Sequence, residues 1–142
     1  IKLDNVLLDI IFPFDDLSGK ELKSSSNDSS VVVRIIYKNK SFLFTGDIDE
    51  AAEKEIANSY GSAGLKSDVL KVAHHGSKYS TSDIFLEAVK PEIAVISVGK
   101  NSYGHPTAEA LQRLEKFGIK VLRTDVDHDI KLMSDGNNIN TN

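Results

Sequence analysis

The chain has no cysteine, no tryptophan, three prolines and one methionine in 142 residues. Without cysteine there is no disulfide, no CxxC redox chemistry and no thiolate metal site. Any metal must therefore be held by nitrogen and oxygen. No run of about 18 apolar residues occurs, so these residues supply no membrane-spanning helix and no membrane contact of their own. An excess of positive charge is missing too. Seventeen Lys and Arg stand against twenty-one Asp and Glu, a net charge of -4, which argues against a broad basic face for duplex nucleic acid and leaves room only for a local patch. What is present, 40% hydrophobic and 27% charged residues, is the composition of a soluble domain. A chain of this length buries roughly 68% of its unfolded surface.

The chain opens at Ile1, and IKLDNVLLDIIF carries internal acids and no small-residue cleavage site, so it does not read as a signal peptide. It reads as one or two strands at a sheet edge in a chain that starts mid-fold, with Pro13 ending the strand. Residues 15–30 are serine-rich and read as a flexible surface loop. VVVRIIY, a turn at Lys38-Asn39-Lys40 and SFLFT predict a hairpin. Asp49 and Glu50 open an Ala-rich helix that Gly61 is placed to stop. DVLKVA (68–73) predicts a strand and SDIFLEAV (82–89) a helix, with Ser80 and Asp83 spaced as a capping box.

IAVISV (93–98) predicts a central strand buried on both faces. A helix over about 107–117 and a strand over IKVLR (119–123) follow. IKLM (130–133) predicts an edge strand, and residues 134–142 a frayed terminus. The order is α/β, in which ligand groups gather in loops after strand ends.

Three of the four histidines fall after predicted strands: His74, His75 and His105. Asp47 lies after another. Carboxylate plus imidazole without sulfur suits zinc, manganese or iron(II), and such sites perform hydrolysis by lowering the pKa of a bound water toward about 7. Each residue has a plainer reading. Asp47 could be a helix N-cap, His74 and His75 could bond to backbone in a polar loop, and His105 could cap the following helix. A glycine beside every candidate (Gly46, Gly76, Gly104) favours close approach to a ligand. Ser77, Lys78, Ser80, Asn101 and Tyr103 lie alongside and could donate hydrogen bonds to a phosphate, although a solvated loop is the plainer account. Lys71 and Arg123 read as snorkelling surface residues, and His128 as an edge-strand surface residue.

SSVVVRIIYKNKSFLFTGD (29–47), SDVLKVAHHGSKYSTSDIFLEAVKPEIAVISVGKNSYGHPTAEALQRL (67–114) and GIKVLRTD (118–125) resemble the C-terminal half of a metallo-β-lactamase-fold hydrolase. The branch resembled is the ComEC-type DNA-uptake competence domain and its stand-alone relatives. The resemblance rests on TGD, HHGS and NSYGHP in that order and covers most of residues 29–133.

It implies the C-terminal portion of an αββα sandwich, a mixed sheet with flanking helices, and a site for one or two divalent ions, zinc or manganese. By this resemblance Asp47 and His105 are metal ligands. One of His74 and His75, His74 first, ligates a metal or contacts and protonates the scissile phosphate, and Ser77, Asn101 and Tyr103 are candidate substrate contacts through their position beside these residues.

The implied reaction is phosphodiester hydrolysis linked to DNA uptake, with single-stranded DNA or another phosphodiester as partner. An ester or lactone substrate is the alternative within the fold. The ComEC-type domain is tethered to the membrane through other parts of its chain and faces outward, whereas the stand-alone relatives are soluble. Two features depart from the pattern. HxHxDH, which supplies most ligands of the first metal, is absent from these residues, and Asp127-His128-Asp129 stands where the family tends to have glycine. The competing expectation is therefore a partial domain over 1–142 that lacks the metal and serves as an interaction module. A sheet face exposed in such a piece would favour a homodimer.

Overall fold

The computed structural model describes residues 1–16 and 29–141. Four strands come first: β1 (Lys2–Leu3), β2 (Val6–Phe12), β3 (Val32–Tyr37) and β4 (Lys40–Phe44). Three more alternate with helices: α1 (Glu50–Leu65), β5 (Val69–Lys71), α2 (Asp83–Val89), β6 (Ile93–Ile96), α3 (Ala108–Lys116) and β7 (Lys120–Arg123). These strands form one seven-stranded sheet in sequence order. β1 to β4 pair antiparallel and β4 to β7 pair parallel. A mixed sheet with helices is what the metallo-β-lactamase resemblance implies.

Each parallel connection carries one helix, and three successive crossovers of the same hand put all three helices on one face. Leu43, Leu70, Ala94 and Ile96 point into that face and join Ile56, Leu65, Phe85, Leu86, Val89 and Leu114 in a single core. Every strand of the parallel half thus ends in a loop at the same sheet edge. This convergence is the part of the fold that matters for chemistry.

The opposite face reads, through the strand register, Leu8 and Ile10, then Ile35 and Val33, Phe42 and Phe44, Val69 and Lys71, Ile93 and Val95. β6 is therefore not buried on both sides: Ala94 and Ile96 are buried, whereas Ile93 and Val95 are half-buried. Among the described residues no helix covers this face. Ile130 and Leu132 reach it, beside Phe42, Phe44, Val69 and Val95.

Three local expectations are corrected. Of the frayed terminus expected over 134–142, residues 134–141 do not form a frayed end: β8 (Leu132–Ser134) and β9 (Ile139–Thr141) make a separate hairpin. The Asp135 carboxylate accepts from the backbone of Asn137 and Asn138, and the Gly136 carbonyl accepts from Asn39 N–H, so the turn docks on the β3–β4 turn. IKLM accordingly supplies β8 rather than an edge of the main sheet. His128 lies in no strand but at the end of the short helix α4 (Thr124–Asp127), with φ 60°. Of the loop expected over 15–30, residues 17–28 lie outside the described residues.

Candidate metal centre

At the end of β4, Thr45 is buried and its hydroxyl donates to Lys71 O at 2.7 Å, tying the ends of β4 and β5 together. Gly46 follows at φ +55°, where an added Cβ would lie 3.0 Å from Ser30 Cβ. Its carbonyl accepts His74 N–H at 3.1 Å. Ile48 is fully buried, and Asp49 caps α1 by accepting Ala52 N–H at 3.0 Å. The N-cap is therefore Asp49, which leaves the Asp47 carboxylate free of that task and 40% exposed at the sheet edge.

After β5 the backbone makes a single tight turn, Ala73–Gly76, in which both His74 (φ 46°) and His75 (φ 55°) are left-handed. Side chains with a Cβ rarely adopt that region, and consecutive examples persist only where surroundings over-determine them. Three anchors do so: His74 N–H to Gly46 O, Ser77 N–H to His74 O, and Thr107 N–H to Gly76 O. Gly76 (φ +83°) is where the HHGS and GHP loops touch, because a Cβ there would sit 2.6 Å from Pro106 Cβ.

The result is two facing pairs. His75 Nδ1 donates to Ser97 O at 2.7 Å, which leaves Nε2 turned toward Asp47 Oδ1 at 3.8 Å. A backbone carbonyl on one ring nitrogen fixes the tautomer that presents the other nitrogen as a ligand. The His74 and His105 rings lie 5.6 Å apart. His105 is half-buried, and its Nδ1 is buried with no hydrogen-bond partner. Burial, followed by the neighbouring His74 and His75, holds His105 below its usual pKa, so the imidazole is neutral at pH 7.

The three expected substrate contacts divide. The Asn101 side chain is fully engaged within its own loop: Nδ2 donates to Gly99 O and His105 O, and Oδ1 accepts from Tyr103 N–H and His105 N–H. An amide has two donors and two acceptor sites, so Asn101 shapes the loop that carries His105 and has nothing left for a substrate. Ser77 is buried, and its hydroxyl accepts Tyr79 N–H at 3.2 Å. Tyr103 is 81% exposed and stacks against His105 at 6.0 Å. It faces solvent beside the histidines.

Two neighbours are invisible to motif reading. Lys71 is half-buried at the end of β5, with Nζ bonded to Val72 O at 2.9 Å. Burial lowers its pKa and the nearby Asp47 opposes that shift, so it belongs to the site's field and is no surface residue. Thr124 lines the same cleft as His75, Ser97, Tyr103 and His105, and its hydroxyl binds Val98 on both N–H and C=O sides. The only signal for Lys71 was a lone charge ending an apolar strand. Arg123 pairs with Asp125 at 2.7 Å.

The donor set suits a divalent ion in type: imidazole edges, a carboxylate, and the buried His105 Nδ1 lacking a hydrogen-bond partner. Among the described residues, however, no three His, Asp or Glu side chains form one metal-binding group. Asp47 with His75 and His74 with His105 are two pairs, which fit a site completed by ligands from elsewhere.

The sequence pattern of the "Metallo-beta-lactamase superfamily" matches residues 14–100. The chain is 44% identical over 103 residues to "ComE operon protein 3" of Bacillus subtilis, an overlap of 72% of this chain and 13% of that protein. It is 43% identical over 115 residues to "Competence protein ComA" of Neisseria gonorrhoeae, covering 80% of this chain and 16% of that protein. Against "Recombination protein 2" of Haemophilus influenzae it is 35% identical over 109 residues, 76% of this chain and 13% of that protein. The chain thus spans only about one seventh of the length of these curated relatives.

Proposed function

Because the chain belongs to the metallo-β-lactamase superfamily, we propose that it forms the later half of a metal-dependent phosphodiesterase site serving DNA uptake. The observation that carries this reading is the pairing of Asp47 with His75 and of His74 with His105 across three loops at one sheet edge. Similarity to competence proteins supports DNA, and single-stranded DNA needs only a local groove on an acidic chain.

In this reading Asp47, His75 and His105 hold one or two zinc or manganese ions together with ligands from outside the described residues. When bound, such an ion lowers the pKa of water toward about 7 and polarises the phosphorus–oxygen bond. The Ser97 carbonyl orients His75, Asn101 orients His105, and His74 donates a proton to the leaving oxygen. Tyr103 contacts the substrate beside His105.

The test is hydrolysis of labelled single-stranded DNA by protein carrying an upstream HxHxDH segment, with Mn²⁺ or Zn²⁺ added. We expect Asp47→Asn, His75→Ala and His105→Ala each to reduce the rate roughly a hundredfold or more, and His74→Ala to spare metal binding while slowing turnover. Full activity in the Asp47 and His105 variants would reject the shared site.

A second reading, a module without catalysis, is favoured by the lack of a three-ligand group among the described residues. It stands if the protein hydrolyses no phosphodiester, ester or lactone with either metal. The apolar sheet face supports association in either case, with an upstream half of the fold or, without it, with a second copy of this chain.

A further inference from the structure

We propose that Glu53 is a positioning residue for the histidine turn: with Arg113 it clamps residues 78–82, and through them holds His74 and His75 in the left-handed conformation that aims their rings. The proposal rests on the metal-site reading above for its consequence in catalysis, but its geometry does not.

Glu53 lies in the first turn of α1 and is fully buried. A buried carboxylate is strongly unfavourable unless its oxygens are satisfied. One oxygen accepts Thr81 N–H in a short hydrogen bond, and the other accepts Ser82 N–H at 2.7 Å. Ser82, the N-cap of α2, makes no side-chain cap of its own. Thr81 is itself left-handed at φ 59°. The carboxylate therefore supports a strained backbone and the entry to α2 at once.

The same segment is held from the other side. Arg113 Nη2 on α3 donates to Lys78 O and to Ser80 O, both at 2.9 Å, and Glu50 N–H donates to Tyr79 O at 2.9 Å. Every residue from Lys78 to Ser82 thus has a backbone group fixed by α1 or α3. From here the connection to the histidines is one step long. Ser80 Oγ lies 3.1 Å from Ala73 O and 3.2 Å from Ser77 O, and Ser77 N–H donates to His74 O. Neither Glu53 nor Arg113 is placed by any of these bonds on a reacting atom, so both act through the turn.

The readout that separates positioning from bulk stability is the His75 ring. Its Nδ1 proton bonded to Ser97 O is observable by ¹⁵N–¹H NMR, whether or not the protein is an enzyme. Glu53→Gln puts an amide NH₂ against a backbone N–H, so one of the two bonds is lost. Glu53→Asp keeps both acceptors. We expect Glu53→Gln to shift or lose the His75 Nδ1–H signal and Glu53→Asp to restore it in part. Leu65→Ala, which destabilises the far end of α1, should leave the signal in place.

In the DNA assay Glu53→Gln should lower kcat about tenfold with KM within about twofold. If Glu53→Gln does not fold, Arg113→Met tests the clamp from the accessible side with the same signal. A folded Glu53→Gln or Arg113→Met protein with an unchanged His75 resonance overturns the proposal. A shifted resonance in a protein without hydrolytic activity retains it and rejects the enzymatic reading instead.

Discussion

Gly76 and Gly104 both have positive φ and both sit in site loops, yet they should respond differently to alanine. At Gly76 a Cβ would meet Pro106 at 2.6 Å as well as straining the backbone, whereas Gly104 (φ +76°) has no atom within 4 Å. Gly76→Ala should cost about 3 kcal/mol and separate the HHGS and GHP loops, and Gly104→Ala only about 1 kcal/mol. Urea denaturation of the two variants measures the difference; equal midpoints would mean that the loops do not pack at Gly76.

Glu53 makes a second prediction at this scale. Burial pushes its carboxyl up to about 7, against the pull of the Ser82 and Thr81 bonds and of Arg113. A raised folded pKa means that the folded state holds the proton more tightly than the unfolded chain. Its contribution is complete below the unfolded value of 4.5 and is lost as pH rises through about 7. The loss amounts to about 3 kcal/mol. Unfolding free energies measured from pH 4.5 to pH 8 should fall by this increment in the wild type relative to Glu53→Gln, and parallel profiles would show that Glu53 does not titrate in that window.

Within the elements, TGDID places two aspartates two residues apart, and sequence leaves open which of them caps the helix. The structure assigns the cap to Asp49, whose carboxylate accepts from Ala52. Asp49→Ala should therefore lower stability by about 1 kcal/mol, seen as a drop in Tm, while Asp47→Ala leaves Tm nearly unchanged and affects metal binding. The reverse result would exchange the two roles. α2 shows where local pattern reading fails. Ser80 and Asp83 have capping-box spacing, but the Ser80 hydroxyl turns back to Ala73 O. The N–H groups at the entry are taken by Glu53, far away in sequence, and no short motif carries that. Strand and helix positions, by contrast, were legible: VVVRIIY is rich in β-branched residues that suit a half-buried strand, and the spacing of Leu111, Leu114 and Phe117 along α3 and its C-cap is itself the burial pattern.

For the molecule as a whole, one sheet face carries a core and helices, and the other an apolar surface that includes exposed Ile10 (49%) and Phe44 (43%). Such a surface associates unless covered. Sedimentation of this chain should show concentration-dependent association that Phe44→Glu weakens, and an added upstream half should abolish it. A chain that stays monomeric at every concentration would mean that this face needs no cover.

In the sequence, composition determined that any metal is held by nitrogen and oxygen and element order that the fold is α/β, and family resemblance made Asp47, His74, His75 and His105 candidates for one site. Those properties are carried by residue type and by periods of two to four residues. Tertiary structure alone decided which histidine faces Asp47, that Asn101 is spent on its own loop, that Lys71 and Thr124 join the site, and that Glu53 braces it. Each of these depends on backbone groups brought together from separate segments, and a backbone carbonyl or N–H leaves no mark in the sequence that positions it.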